Sequence, residues 1–107
     1  MNALRNKVQL IGRVGSTPEV KEVGQGKKVV NVSLATNEVY YNEKGEKVET
    51  TQWHHLVSWN HAEIFEKFVE KGKEIAIEGK LTYRNYEDKE GNKRYVTEVI
   101  VQEVLLL

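Results

Sequence analysis

Two-residue alternation runs through most of this chain and breaks in one place. Within residues 28–37, Val30, Val32 and Leu34 fall on one side, and Asn31, Ser33, Ala35 and Asn37 on the other. Successive side chains of an extended strand point to opposite faces, so this pattern describes a strand with one face buried. Residues 6–14, 51–59, 73–86 and 94–104 share the strand rhythm, and residues 19–23 extend the first strand beyond a bulge. Glycine turns and charged tips separate these runs: Gly15-Ser16-Thr17-Pro18, Gly24-Gln25-Gly26, and residues 42–47 and 87–93. The break is residues 60–72, where Ile64, Phe65, Phe68 and Val69 recur at helical spacing. There Asn60 is placed to cap the first turn, Glu63 completes a capping-box pattern, and Gly72 suits the left-handed position past the end.

Three strands, a helix and a closing two-stranded hairpin fit a small antiparallel barrel. A helix between the third and fourth strands is the arrangement of the OB-fold, a five-stranded Greek-key barrel that binds oligonucleotides or oligosaccharides. The expected fold class is therefore all-β, as one domain over residues 1–107. The sequence has no cysteine, which excludes disulfides and thiolate metal sites. The longest apolar run, residues 104–107, is too short to cross a bilayer, and the N-terminus lacks the apolar core of a secretory signal. A cytoplasmic protein without a membrane partner is expected. Formal net charge is zero, yet residues 1–40 carry a net +3 and residues 62–79 a net −2.

The functional signal is the run Thr51-Gln52-Trp53-His54-His55-Leu56-Val57-Ser58-Trp59. Alternation sends Trp53, His55, Val57 and Trp59 to one face. Open aromatic rings are what unpaired nucleobases need for stacking. Tyr86 shares its strand face with Lys80, Thr82 and Arg84, so ring and cation alternate there, while Ile75, Ile77, Leu81 and Tyr83 take the other face. Tyr40 and Tyr41 point to opposite faces, one to pack and one to remain available. As a set, Lys7, Arg13, Lys28, Lys80, Arg84 and Arg94 are the candidate phosphate contacts. No metal site is expected, since adjacent His54 and His55 diverge and no thiolate completes a tetrahedral set. No nucleophile elbow, phosphate loop or acidic metal cluster is present, and Gly24-Gln25-Gly26 lacks the following helix of a dinucleotide site. A non-enzymatic protein without cofactor is the expectation.

Several stretches, in order, resemble the bacterial-type single-stranded DNA-binding proteins (SSB). They are Asn6-Lys7-Val8, Thr17-Pro18-Glu19-Val20, Leu34-Ala35-Thr36-Asn37, Thr51-Gln52-Trp53-His54, Lys71-Gly72, Ile77-Glu78-Gly79-Lys80-Leu81 and Tyr95-Val96-Thr97-Glu98-Val99. The resemblance implies a homotetramer of OB domains that binds and protects single-stranded DNA without sequence preference in replication, recombination and repair, associated with the nucleoid. Its stacking aromatics map onto Tyr40, Trp53, Trp59 and Tyr86, with His55 between the tryptophans. It also implies subunit pairing through the first strand, with Asn6 and Val8, and around His54. Family members commonly continue into a flexible tail with an acidic tip that recruits replication and repair enzymes. This sequence stops at Leu107, as either a truncated piece or a short form without that tail would, so the resemblance leaves recruitment of replication and repair proteins open. Two other readings stay open from sequence: an OB-fold replication adaptor that binds mainly protein partners, and an oligosaccharide-binding module.

Overall fold

The computed structural model describes residues 5–107. Its strands are β1 (Val8–Val14), β2 (Glu19–Glu22), β3 (Lys28–Tyr41), β4 (Lys47–Ser58), β5 (Glu74–Glu87) and β6 (Lys93–Leu106). The one helix among the described residues, α1 (Ala62–Phe68), joins β4 to β5. The sheet order is β1-β5-β6-β4-β3-β2, and a further β1–β3 pairing closes it into a barrel. Along one edge of β3, β1 pairs at Arg13↔Ala35 and Val14↔Leu34, and β2 resumes at Glu19↔Asn31. The expected extension of the first strand beyond a bulge is thus present as β2. Five strands make the barrel and the helix follows the third of them, as the alternation implied. This is the OB-fold.

Inward positions build the core. Val30, Val32 and Leu34 of β3 meet Leu56 of β4, Ile75 and Ile77 of β5, Val99 and Val101 of β6, and Phe65 of α1 in one buried cluster. The helix is shorter than its apolar stripe suggested. His61, not Asn60, is the N-cap residue, and no side chain caps it. Instead the buried Ser58 hydroxyl at the end of β4 accepts the His61 N–H at 3.3 Å. The chain leaves the helix early because Val69 turns to extended backbone and enters the core. That leaves Phe68 exposed, and places Gly72, with φ +91, in a separate turn where its N–H donates to the Val14 carbonyl at 2.7 Å.

Two hairpins outrun the barrel. β3 and β4 stay in register from Val30↔Ser58 to Tyr41↔Lys47, and β5 and β6 pair on to Glu87↔Lys93. The radius of gyration is 16.1 Å, against about 13 Å for a compact domain of this length. The excess lies in these arms. Their tips share one design: Asn42 Oδ1 accepts the N–H groups of Lys44 and Glu46, and Asp88 Oδ1 accepts those of Glu90 and Asn92. Three residues further on, Gly45 and Gly91 take φ +76 and +81, a backbone state that side-chain-bearing residues adopt with strain. Donors from Asn92 and Arg94 hold the Asp88 carboxyl below the usual carboxylate range.

Candidate nucleic-acid interface

The parallel pairing of β4 and β6 is brief. It covers Leu56↔Val99 and Val57↔Ile100, and beyond it the two hairpins part. Pair register puts Trp53, His55 and Val57 of β4 on the outer wall with Glu98 and Ile100 of β6 and Lys80, Arg84 and Tyr86 of β5. At the fork lies Glu98, only 4% exposed. Its carboxylate accepts two N–H groups of Arg84, at 2.7 and 3.3 Å, and sits 3.4 Å from His55 Nδ1. His55 Nε2 is 3.0 Å from Asn31 Oδ1, so both ring nitrogens have partners. Hydrogen bonding and then charge from Glu98 raise the Arg84 pKa further, keeping the guanidinium ionised. Buried beneath this wall, one acid thus fixes a cation and an imidazole where the arms diverge.

Trp53 stands on one arm of the fork, 64% exposed. It lies beside Ala35, which in turn pairs with Arg13, so ring and guanidinium share one lateral row. Space for the indole comes from Gly15: a Cβ added there would land on the benzo edge of Trp53 and within 3.1 Å of Ser33 Oγ. We expect Gly15→Val to lift the indole from its seat at an overpacking cost of about 1–3 kcal/mol. A changed near-UV circular dichroism signal with intact far-UV signal would register this; an unaltered Trp53 environment would refute the contact.

The structure disperses the remaining sequence candidates. Tyr86, half-exposed, is on the second arm, opposite Arg94 in the β5–β6 register. Trp59 lies past the end of β4, so the alternation does not carry it; it is half-exposed and lines a groove with Lys27, Lys28 and the start of α1. Val57, expected beside the rings, is buried because β3 and β6 flank it. Tyr40 is exposed but on the face of the β3–β4 arm opposite Trp53, whereas Tyr41 shares the Trp53 face. Neither tyrosine packs, since the arm extends past the core.

Most of the candidate cations already hold a partner. Lys7 pairs with Glu78 at 3.3 Å, Lys28 with Glu66 at 3.1 Å and Arg94 with Asp88 at 3.0 Å, while Arg13 donates to the Gly72 carbonyl at 3.1 Å. Lys80 has no ion pair among the described residues. The three residues expected at a subunit contact are also used within the chain. Asn6 exchanges two hydrogen bonds with the Leu81 backbone at 2.9 and 3.0 Å, Val8 packs on the core, and His54 Nε2 lies 2.9 Å from Thr36 Oγ1. Sequence reasoning missed Ile11, which points outward at 64% exposure. A signal was there: in Val8-Gln9-Leu10-Ile11, the isoleucine occupies the polar side of the alternation.

Relatives share both sequence and architecture. The single-strand binding protein family matches residues 5–107. Single-stranded DNA-binding protein 1 of Xylella fastidiosa is 43% identical over 104 residues, covering 95% of this chain and 76% of that protein. The single-stranded DNA-binding protein of Rickettsia typhi is 43% identical over 100 residues, covering 91% of this chain and 66% of that one. The chain thus spans about two thirds to three quarters of these relatives' length. Among solved structures, a Plasmodium falciparum SSB in complex with ssDNA superposes with a TM-score of 0.89 at 31% identity, covering 100% of this chain and 99% of that one. A deletion mutant of the Thermus aquaticus single-stranded DNA binding protein gives 0.81 at 28% identity, over 95% of this chain and 50% of the other. With the family matching the described length and the barrel shared, this chain belongs to the single-strand binding protein family.

Proposed function

We propose that this OB domain binds single-stranded DNA without sequence preference, stacking bases on Trp53, Tyr86, Trp59 and Tyr40 while basic side chains meet the backbone. One observation carries the reading: Trp53 stands open at the fork beside an Arg84–His55 pair held in place by the buried Glu98. Base–aromatic contacts contribute about 1–3 kcal/mol per ring and accept every base, since each base has a π-face. Duplex DNA binds more weakly, because its bases already stack on one another. The role is protective binding in replication, recombination and repair, without chemistry on the strand, in the cytoplasm with the nucleoid. Labelled oligonucleotide incubated with the protein stays intact; cleavage would contradict a purely binding role.

Titration of tryptophan fluorescence with dT oligomers at two salt concentrations tests the reading. Near-stoichiometric quenching supports it, while no quenching would favour the protein adaptor; competition by a sugar would favour the oligosaccharide module. Each phosphate neutralised on a single strand contributes a slope of about −0.7 in log K against log salt. With most candidate cations already paired, we expect a slope of about −1 to −2 per domain. A far steeper slope, together with little effect of Trp53→Ala, would reject stacking as the larger contribution.

The same reading includes a homotetramer. On the outer wall, Ile11 of β1, Ala76 of β5 and Leu105 of β6 form one lateral apolar row, flanked by Gln9, Glu78 and Glu103. Ile11 and Leu105 are both well exposed, and among the described residues β1 has β5 alone beside it from Val8 to Gly12. A flat aliphatic patch beside an unpaired strand edge favours association. Sedimentation of the wild type should give four chains, and Ile11→Glu should lower that mass. A wild-type mass of one chain would refute the assembly.

A further inference from the structure

The two most exposed aromatic rings among the described residues are not among the stacking residues named above. Tyr83 is 72% exposed and Tyr95 is 74% exposed. In the β5–β6 arm Tyr83 pairs with Thr97 and Asn85 with Tyr95, so the two phenols are diagonal neighbours on one face. That face continues the inward side of the barrel strands, through Leu81, but the arm has left the core behind and none of the described residues covers it. The opposite face of the same ribbon carries Arg84, Tyr86 and Arg94. A two-stranded arm therefore presents rings on both of its sides.

We propose that Tyr83 and Tyr95 form a second base-stacking site, taking a nucleobase of a single strand that has crossed the arm from the Tyr86 side. This rests on the reading that the domain binds single-stranded DNA. The chemistry of the two exposed apolar regions separates their occupants. Ile11, Ala76 and Leu105 are aliphatic, which suits protein packing. Around Tyr83 and Tyr95 stand Asn85, Thr97 and the cross-strand pair Glu87 and Lys93, with no exposed aliphatic side chain among them. Flat rings interspersed with hydrogen-bonding groups, with Lys93 and Glu87 at the tip side, offer a base a stacking face and polar partners. Spacing agrees as well. Diagonal cross-strand neighbours lie about 7–8 Å apart, close to twice the roughly 3.4 Å rise per nucleotide of a stacked strand, which leaves room for one base. Continuity completes the argument: the arm is one ribbon thick, so a strand leaving Tyr86 reaches these phenols by passing a single edge.

The test is a fluorescence titration of the full chain with dT oligomers of increasing length, comparing wild type with a Tyr83→Ala/Tyr95→Ala variant. Short oligomers should quench the tryptophans of both proteins equally. Beyond the length that reaches around the arm, the wild type should gain affinity and the variant should fall behind by at least about tenfold. The Tyr83→Phe/Tyr95→Phe protein should recover the gain, since a phenyl ring still stacks. Equal length dependence in wild type and alanine variant would overturn the proposal, as would a fall in the variant's sedimentation mass, which would make this face a contact between copies. Photocrosslinking of the unmodified protein to halogenated-uracil oligomers removes any dependence on the variants folding. Adducts on Tyr83 or Tyr95 with long oligomers support the site; adducts confined to the Trp53 region count against it. Absence of tryptophan quenching in the wild type would instead bring down the underlying DNA-binding reading.

Discussion

Replacing Phe65 with alanine is expected to cost about 3–5 kcal/mol of folding stability. The ring is fully buried and, among the described residues, is the only aromatic side chain in the core cluster, where its neighbours are mostly aliphatic residues of the barrel strands. Removing it leaves a cavity that a closed barrel, tied by hydrogen bonds around its circumference, cannot collapse to fill. The helix that carries Phe65 has only 7 residues, far below the about 12–15 that hold a helix in isolation, so its order depends on this anchor. A domain of this size has about 5–15 kcal/mol in total. Urea unfolding should show a large drop in midpoint with the slope unchanged. Phe68→Ala, one turn along the same apparent stripe, should be near neutral because its ring is exposed. Equal losses at the two positions would contradict the packing described.

That contrast shows what the sequence could and could not convey. The inward faces were legible because burial on one side of a strand leaves a period of two, and Val30, Val32, Leu34, Ile75 and Ile77 obey it. The helix was legible as an interruption, but its ends were not. Its N-cap went to His61 through Ser58 on the preceding strand, and its end was set by the core's demand for Val69, both tertiary effects. Tyr83 illustrates a second limit. Alternation assigns it to the inward side correctly, yet inward means buried only where the barrel extends, and the arm runs past it. The same applies to the site: ring and cation types were visible, while the Glu98 carboxylate that organises Arg84 and His55 acts across three strands. Glu98 lies on the outer face of its strand and is nonetheless buried. Ion-pair partners such as Glu66 for Lys28 are similarly remote in sequence, which is why the phosphate candidates looked freer than they are.

Trp53→Ala should weaken single-stranded DNA binding by about 1–3 kcal/mol, roughly 5- to 150-fold, while leaving stability almost unchanged. The indole is mostly exposed and adds little to the core, so its removal deletes a stacking platform and not a structural element. Trp53→Phe should retain much of the affinity, as a smaller ring still offers a face. Trp59 sits six residues further on, roughly 20 Å along an extended chain, beyond the range where neighbouring substitutions usually couple. The double variant Trp53→Ala/Trp59→Ala should therefore lose about the sum of the two single effects, roughly 2–6 kcal/mol. His55→Ala would be less clean, since it also strips a partner from the buried Glu98. Comparing dissociation constants at fixed salt, with thermal unfolding as the control for fold, decides the matter. If Trp53→Ala binds dT oligomers as tightly as the wild type, the fork between the two arms is not where the bases rest.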